Sequence, residues 1–188
     1  MKLSKVVMAA AVAAAISLPL AVRAESNFTT GGGANITATA RVDFSVSIPK
    51  FVLLQVGTLG TNNVDTISFA VPAANVGNGT VVAGTGGNLT GGQVTVRVVG
   101  NNGNMTLGAT AGANLLSGAD TIPWTEISTA ITGGATHPAI NGANATYTAT
   151  NKVVNVNGTW TYSYLNTNGF VPAFGTYTGT VTYTATTP

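Results

Sequence analysis

The amino-acid sequence predicts an all-β protein folded as an antiparallel sandwich with Greek-key connections. Composition is the first reason. Residues 25–188 hold 31 Thr, 18 Asn and all 24 Gly; threonine favours strands, while Asn and Gly supply the positive-φ positions of tight turns. Apolar residues also recur at every second position in several stretches, the period of a strand with one buried and one solvated face. Turn signals separate those stretches and leave room for about seven to nine strands in one domain.

The chain opens with Lys2 and Lys5 ahead of an apolar run over residues 6–22, relieved only by Ser17 and Pro19 and followed by Arg23 and Ala24. That is the pattern of a secretory signal peptide cleaved after Ala24, and the alanine-dominated run is short and weakly apolar for a membrane anchor. With Lys2, Lys5 and Arg23 removed, Arg41, Lys50, Arg97 and Lys152 face Glu25, Asp43, Asp65, Asp120 and Glu126, a net charge of −1 in place of the +2 of the whole chain. Four scattered cations make no patch for phosphates, so the sequence points away from nucleic acid and anionic membranes. The remaining 164 of 188 residues contain no cysteine, as expected of one domain held by its core alone. The expected organisation is residues 1–24 as signal peptide, 25–48 as a flexible segment with an alternating strand, and 49–188 as the sandwich.

Behind Gly31, Gly32 and Gly33 comes the most regular stretch, residues 36–48, where Ile36, Ala38, Ala40, Val42, Phe44, Val46 and Ile48 alternate with Thr37, Thr39, Arg41, Asp43, Ser45 and Ser47. At about 3.3 Å per residue such a strand spans about 40 Å, far beyond the usual length of about five or six residues. On its glycine tether it can pair within its own domain or add to a neighbouring molecule.

Beyond Pro49, residues 51–56 read as a buried strand interrupted by Gln55 and ended by Gly57. Ile67, Phe69 and Val71 alternate ahead of Pro72, and the glycine-rich loop that follows holds one short strand at Val81 and Val82. Val94, Val96 and Val98, then Gly100, Asn101, Asn102 and Gly103, then Met105, Leu107 and Ala109 read as a hairpin. Pro123 confines a strand between Ile122 and Ile127 to an edge or a beginning, residues 131–143 read as loop, and Tyr147 and Ala149 open the next strand. Val154, Val156, Gly158, Trp160, Tyr162 and Tyr164 share one face of a long strand, and Tyr177, Gly179, Val181, Tyr183 and Ala185 share one face of the last.

The late loop Gly169, Phe170, Val171, Pro172, Ala173, Phe174 leads into a final strand Gly175, Thr176, Tyr177, Thr178, Gly179, Thr180, Val181, Thr182, Tyr183. With the alternating N-terminal strand, this order of features resembles the chaperone/usher pilin subunits of Gram-negative bacteria, most of all the archaic or spore-coat-U-like branch. In that family a Gly-x-Tyr-x-Asp-x-Val-x-Val strand ends an incomplete immunoglobulin-like domain, and Gly175, Tyr177 and Val181 fall on its positions. The resemblance implies that Tyr177, Gly179, Val181 and Tyr183 border an open groove, and that residues 36–48, above all 40–48, are the strand donated to the next subunit. Implied partners are copies of the chain or related pilins, a periplasmic chaperone and an outer-membrane usher. The implied location is a fimbria at the cell surface, reached through the periplasm, with adhesion to a host or abiotic surface or biofilm formation as its role. The chain departs from the family where Gly179 stands for the usual Asp, in lacking paired cysteines, and in running on through residues 184–188.

No constellation for catalysis, metal or cofactor stands out. His137, the single histidine, sits in a glycine-rich loop between Thr136 and Pro138 without a nucleophile signature, and reads as an exposed loop residue. Asp120 and Glu126 flank Pro123 and make a poor pair for opening a glycosidic bond. Gly84, Gly86, Gly87 and Gly91 lack the Gly-Lys-Ser/Thr of a phosphate loop, and no calcium loop or His/Cys cluster occurs. Trp160, Tyr162 and Tyr164 offer either a sugar-stacking platform or an aromatic core, and Val154 and Val156 on the same face favour the core. The expectation is therefore a structural fibre subunit without enzymatic activity, cofactor or metal. The alternative is a monomeric secreted β-sandwich that binds a glycan or a surface.

Overall fold

The computed structural model describes residues 26–60 and 64–188, and the segment expected as signal peptide lies outside them. The chain divides into two units, Met1–Ile48 and Pro49–Pro188. In the first, residues 26–48 carry no strand and every one of them is exposed. The strand expected at residues 36–48 is thus not formed. An extended segment needs a neighbour to take up its N–H and C=O groups, and alternation selects a face without supplying that neighbour.

The second unit is an antiparallel β-sandwich. Its strands are β1 (Val52–Val56), β2 (Ile67–Ser68), β3 (Val82–Ala83), β4 (Thr85–Gly86), β5 (Gln93–Gly100), β6 (Met105–Ala111), β7 (Asn114–Ser117), β8 (Asp120–Pro123), β9 (Ile127–Gly133), β10 (Ala145–Tyr147), β11 (Val154–Tyr164) and β12 (Val181–Thr186). One layer runs β1-β5-β11-β9, with β3 beside Ser163 and Tyr164, the end of β11 that β5 does not reach. The other runs β10-β6-β12. β2 with β4, and β7 with β8, form two small pairs of their own.

β11 forms as expected, because nothing from Val154 to Tyr164 breaks the alternation. Its inward residues Val154, Trp160, Tyr162 and Tyr164 are buried, whereas Asn155 and Asn157 are exposed. Met105, Leu107 and Ala109 of β6 and Tyr147 of β10 meet them from the other layer. Trp160 is fully buried, and its indole N–H donates to the Ala135 carbonyl at 2.6 Å, so the core gains a large apolar side chain with its one polar atom satisfied.

Several expectations are corrected by partners that lie far away in sequence. The β5–β6 hairpin does not exist: the two strands stand in opposite layers and residues 101–104 cross between them. Met105 folds inward under the end of β5, and a Cβ on Gly100 would come within 2.7 Å of its sulfur. Alternation assigns a core face, and two strands sharing a core face can sit side by side or across from each other. β1, expected to be buried, is an edge strand with Val52 exposed. β9 extends to Gly133 through residues expected to be loop, because its Thr, Ala and Gly residues pair with β11 without any apolar period of their own. The β7–β8 hairpin turns over Gly118 and Ala119, with Gly118 at φ 61°; its only sequence signal was a Ser-Gly pair between Leu115 and Ile122. β12 joins β6 only from Val181, later than expected, and before it Thr178 makes a single bridge to Leu116.

Asn166 organises the loop ahead of β3. It is fully buried at φ 51°, its Oδ1 accepts the Gly77 N–H at 2.8 Å, and its Nδ2 donates to the carbonyls of Asn75 at 2.6 Å and Thr80 at 3.2 Å. Asn166→Ala strands the buried Gly77 N–H at about 1–3 kcal/mol and removes a donor from the less buried Asn75 and Thr80 carbonyls. The thermal midpoint should fall by roughly 5–10 °C, as read by circular dichroism; an unchanged midpoint would mean the loop does not depend on the amide.

Candidate functional site

The two layers are packed at one end and open at the other. At the closed end Val96, Val98, Met105, Leu107 and Trp160 are fully buried. Toward the last residues of β11 a cavity of about 1160 Å³ separates the layers. Tyr162 and Tyr164 of β11, Val94 of β5 and Ile127 of β9 line one side of it. Val181 and Tyr183 of β12, with Tyr177 and Gly179 just ahead, supply the other, and Ile67, Phe69, Leu115 and Ile122 add to the apolar lining. The four residues expected at a groove, Tyr177, Gly179, Val181 and Tyr183, therefore share one cavity. Tyr177, Val181 and Tyr183 are half-buried and Gly179 is exposed, while Thr178, Thr180, Thr182 and Thr184 are exposed, the first two at the rim of the same cavity.

Gly179 sits under the ring of Trp124, where a Cβ would come within 2.7 Å of the indole. The indole N–H donates in turn to the Gly112 carbonyl at 2.7 Å. An aspartate, usual at this position in the family the sequence resembles, has no room here.

β12 pairs with β6, and no described strand pairs with its other edge. The residues expected to form a polymerisation strand, Ile36, Ala38, Ala40, Val42, Phe44, Val46 and Ile48, are all exposed, Phe44 by 90% and Val46 by 83%.

His137 is not the exposed loop residue expected. Its ring lies edge-on against Trp160 at 4.4 Å between centroids, and its Nε2 is 2.9 Å from the Tyr183 hydroxyl, which is 2.9 Å from the hydroxyl of Tyr162. With a neutral imidazole whose proton sits on Nδ1 toward the Pro138 backbone, Nε2 accepts from Tyr183 and Tyr183 accepts from Tyr162, a relay joining β11, β12 and the loop after β9. Desolvation by burial lowers the imidazole pKa from 6.5 to about 4, against a weaker opposing effect of a hydrogen bond with the Pro138 backbone. Burial also pushes up the hydroxyls of Tyr162 and Tyr183. No local pattern announces this cluster, because its members come from three separate stretches.

Trp160, Tyr162 and Tyr164 are buried and present no platform at the surface. Glu126 is buried as well, its Oε2 accepting the Thr167 N–H at 3.0 Å. Among the described residues no three His, Asp or Glu side chains gather, and no helix is long and apolar enough to cross a membrane. Comparison with protein-family models, curated proteins and solved structures finds no match to this chain.

Two outcomes test this geometry. Val181→Asp should abolish accumulation of folded protein, since burying such a side chain is worth roughly 1.5–3 kcal/mol and a buried carboxylate costs more. Thr180→Asp should leave the yield unchanged; equal tolerance of both would refute the assigned faces. The unfolded imidazole binds protons more readily than the folded one, so the contribution of His137 is fully present above pH 6.5 and is lost as pH falls toward about 4. The thermal midpoint of His137→Gln should accordingly drop less than that of the wild type between pH 7 and pH 4.

Proposed function

We propose that this protein is a structural subunit of a bacterial surface fibre, joined to its neighbours by donation of residues 36–48 into the groove of the next copy. One observation carries the proposal: an unfilled apolar groove of about 1160 Å³ beside an open strand edge, in a chain whose alternating segment forms no strand. Added beside β12, that segment gives both edges their hydrogen bonds and sends every second side chain between the layers. Each Ile, Val or Phe so buried contributes about 1.5–3 kcal/mol, enough in sum to hold a fibre together without a covalent bond.

On this reading the sandwich corresponds to the incomplete immunoglobulin-like domain of the pilins that the sequence resembles. The proposal includes export through the periplasm after loss of residues 1–24, a chaperone that shields the groove, an outer-membrane usher, and a cell-surface fimbria that serves adhesion or biofilm formation. The strand is the ligand, and no reaction, cofactor or metal is required. A monomeric glycan-binding module has less support, because the aromatic residues it would use are in the core.

Deleting residues 34–47 should abolish fibres seen by negative-stain microscopy. Appending a copy of residues 40–48 after Pro188 through a short flexible linker should then restore a heat-resistant monomer, since a tethered strand has an effective concentration of order millimolar. Fibres that persist after the deletion, or an appended strand that leaves the thermal midpoint unmoved, would refute strand donation.

A further inference from the structure

We propose a second contact between neighbouring copies of this chain: the closed end of the donor, at Lys50, Phe51 and Lys152, abuts the open end of the acceptor, at Asp65, Asp120 and Phe174. It rests on strand donation and adds to it a contact between the folded bodies. Chain length is the first reason. Pro49 begins the sandwich unit, and its carbonyl accepts from Asn101 Nδ2 at 2.8 Å, at the end where Val52, Gly100 and Val154 pair across three strands. Once donated, Ile48 lies in the groove of one copy while Val52, four residues on, stays in β1 of the other. At most about 14 Å of extended chain joins them, so the two bodies must touch there.

What each end presents is the second reason. Of the three cations in residues 49–188, Lys50 and Lys152 stand at the closed end, the Lys152 carbonyl accepting the Gly103 N–H, and Arg97 lies midway along β5. The three carboxylates all lie toward the open end. Asp65 lines the groove, Asp120 sits across the β7–β8 hairpin from Ser117, which lies against Gly175, and Glu126 accepts the Thr167 N–H. Apolar side chains are exposed at both ends, Phe51 and Val153 at one, Val64 and Phe174 at the other. If the donor left the groove at the acceptor's closed end, Lys50 would meet Lys50 and Lys152 of the next copy, and like charges repel. At the open end it meets carboxylates. Exposed apolar residues of both copies are then covered, and a head-to-tail contact of this kind repeats without closing, as a fibre requires.

The chain has no cysteine, so introduced thiols report the contact directly. Full-length chain carrying Phe51→Cys and Phe174→Cys is assembled into fibres, treated with a short bismaleimide and separated on a denaturing gel. A ladder of linked copies is expected, and neither single variant should give one. Lys152→Cys with Asp120→Cys, both at exposed positions, is a second pair with the same expectation. Lys50→Glu should slow fibre growth about two- to fivefold at low salt, and Asp120→Lys in the same chain should offset the loss. The contact is overturned, and strand donation stands, if fibres of neither cysteine pair give a ladder, if Phe51→Cys alone links copies into dimers, or if Lys50→Glu leaves growth unchanged. If the wild-type chain builds no fibres, or if fibres persist after deletion of residues 34–47, strand donation fails and the contact fails with it.

Discussion

Along one face of β11, three aromatic side chains carry the sandwich from closed to open. Trp160 is enclosed and bonded to the Ala135 carbonyl, Tyr162 is held by Tyr183 and His137, and Tyr164 has no partner for its hydroxyl among the described residues. The facing layer explains the gradient. Met105 and Leu107 of β6 fill the closed end, whereas no residue of β6 lines the cavity. Layers about 10 Å apart must be filled to interior density. The unfilled stretch is the groove.

β12 takes its position from the same shortage. It is tied to β6 by a ladder and to the opposite layer through Tyr183, and its remaining edge borders the cavity. An open edge beside exposed apolar surface normally invites uncontrolled association. Here the threonines on the outer face keep one side solvated, while Trp124 packed on Gly179 holds the chain ahead of β12 against the β7–β8 hairpin. The groove is thereby bounded.

The His137 cluster joins this architecture to solution conditions. A neutral imidazole suits a cage of two phenols and an indole, because each hydrogen bond has one donor and one acceptor and no charge must be desolvated. The causes acting on its pKa include no carboxylate to compensate a proton. Acid therefore weakens the link between β12 and β11 at the wall of the groove, the same link that fixes the spacing an inserted strand would meet.

What the sequence determined by itself was local: which stretches alternate, which face of each is apolar, and where turns fall. That sufficed for the all-β class, for the full extent of β11, and for the inward set Val181, Tyr183 and Ala185 of β12. Period-2 patterning is a property of neighbouring residues and survives whatever the strand pairs with. Tertiary structure alone decided that β5 and β6 lie in opposite layers, that Gly133 pairs with Gly158, that His137 is drawn under Trp160, and that the Tyr164 hydroxyl is left unbonded among the described residues. Each of these depends on a partner tens of residues away, and alternation is blind to partners. Residues 36–48 mark the boundary between the two. Their face is written in the sequence, but hydrogen bonds need a second strand, and residues 36–48 form none by themselves.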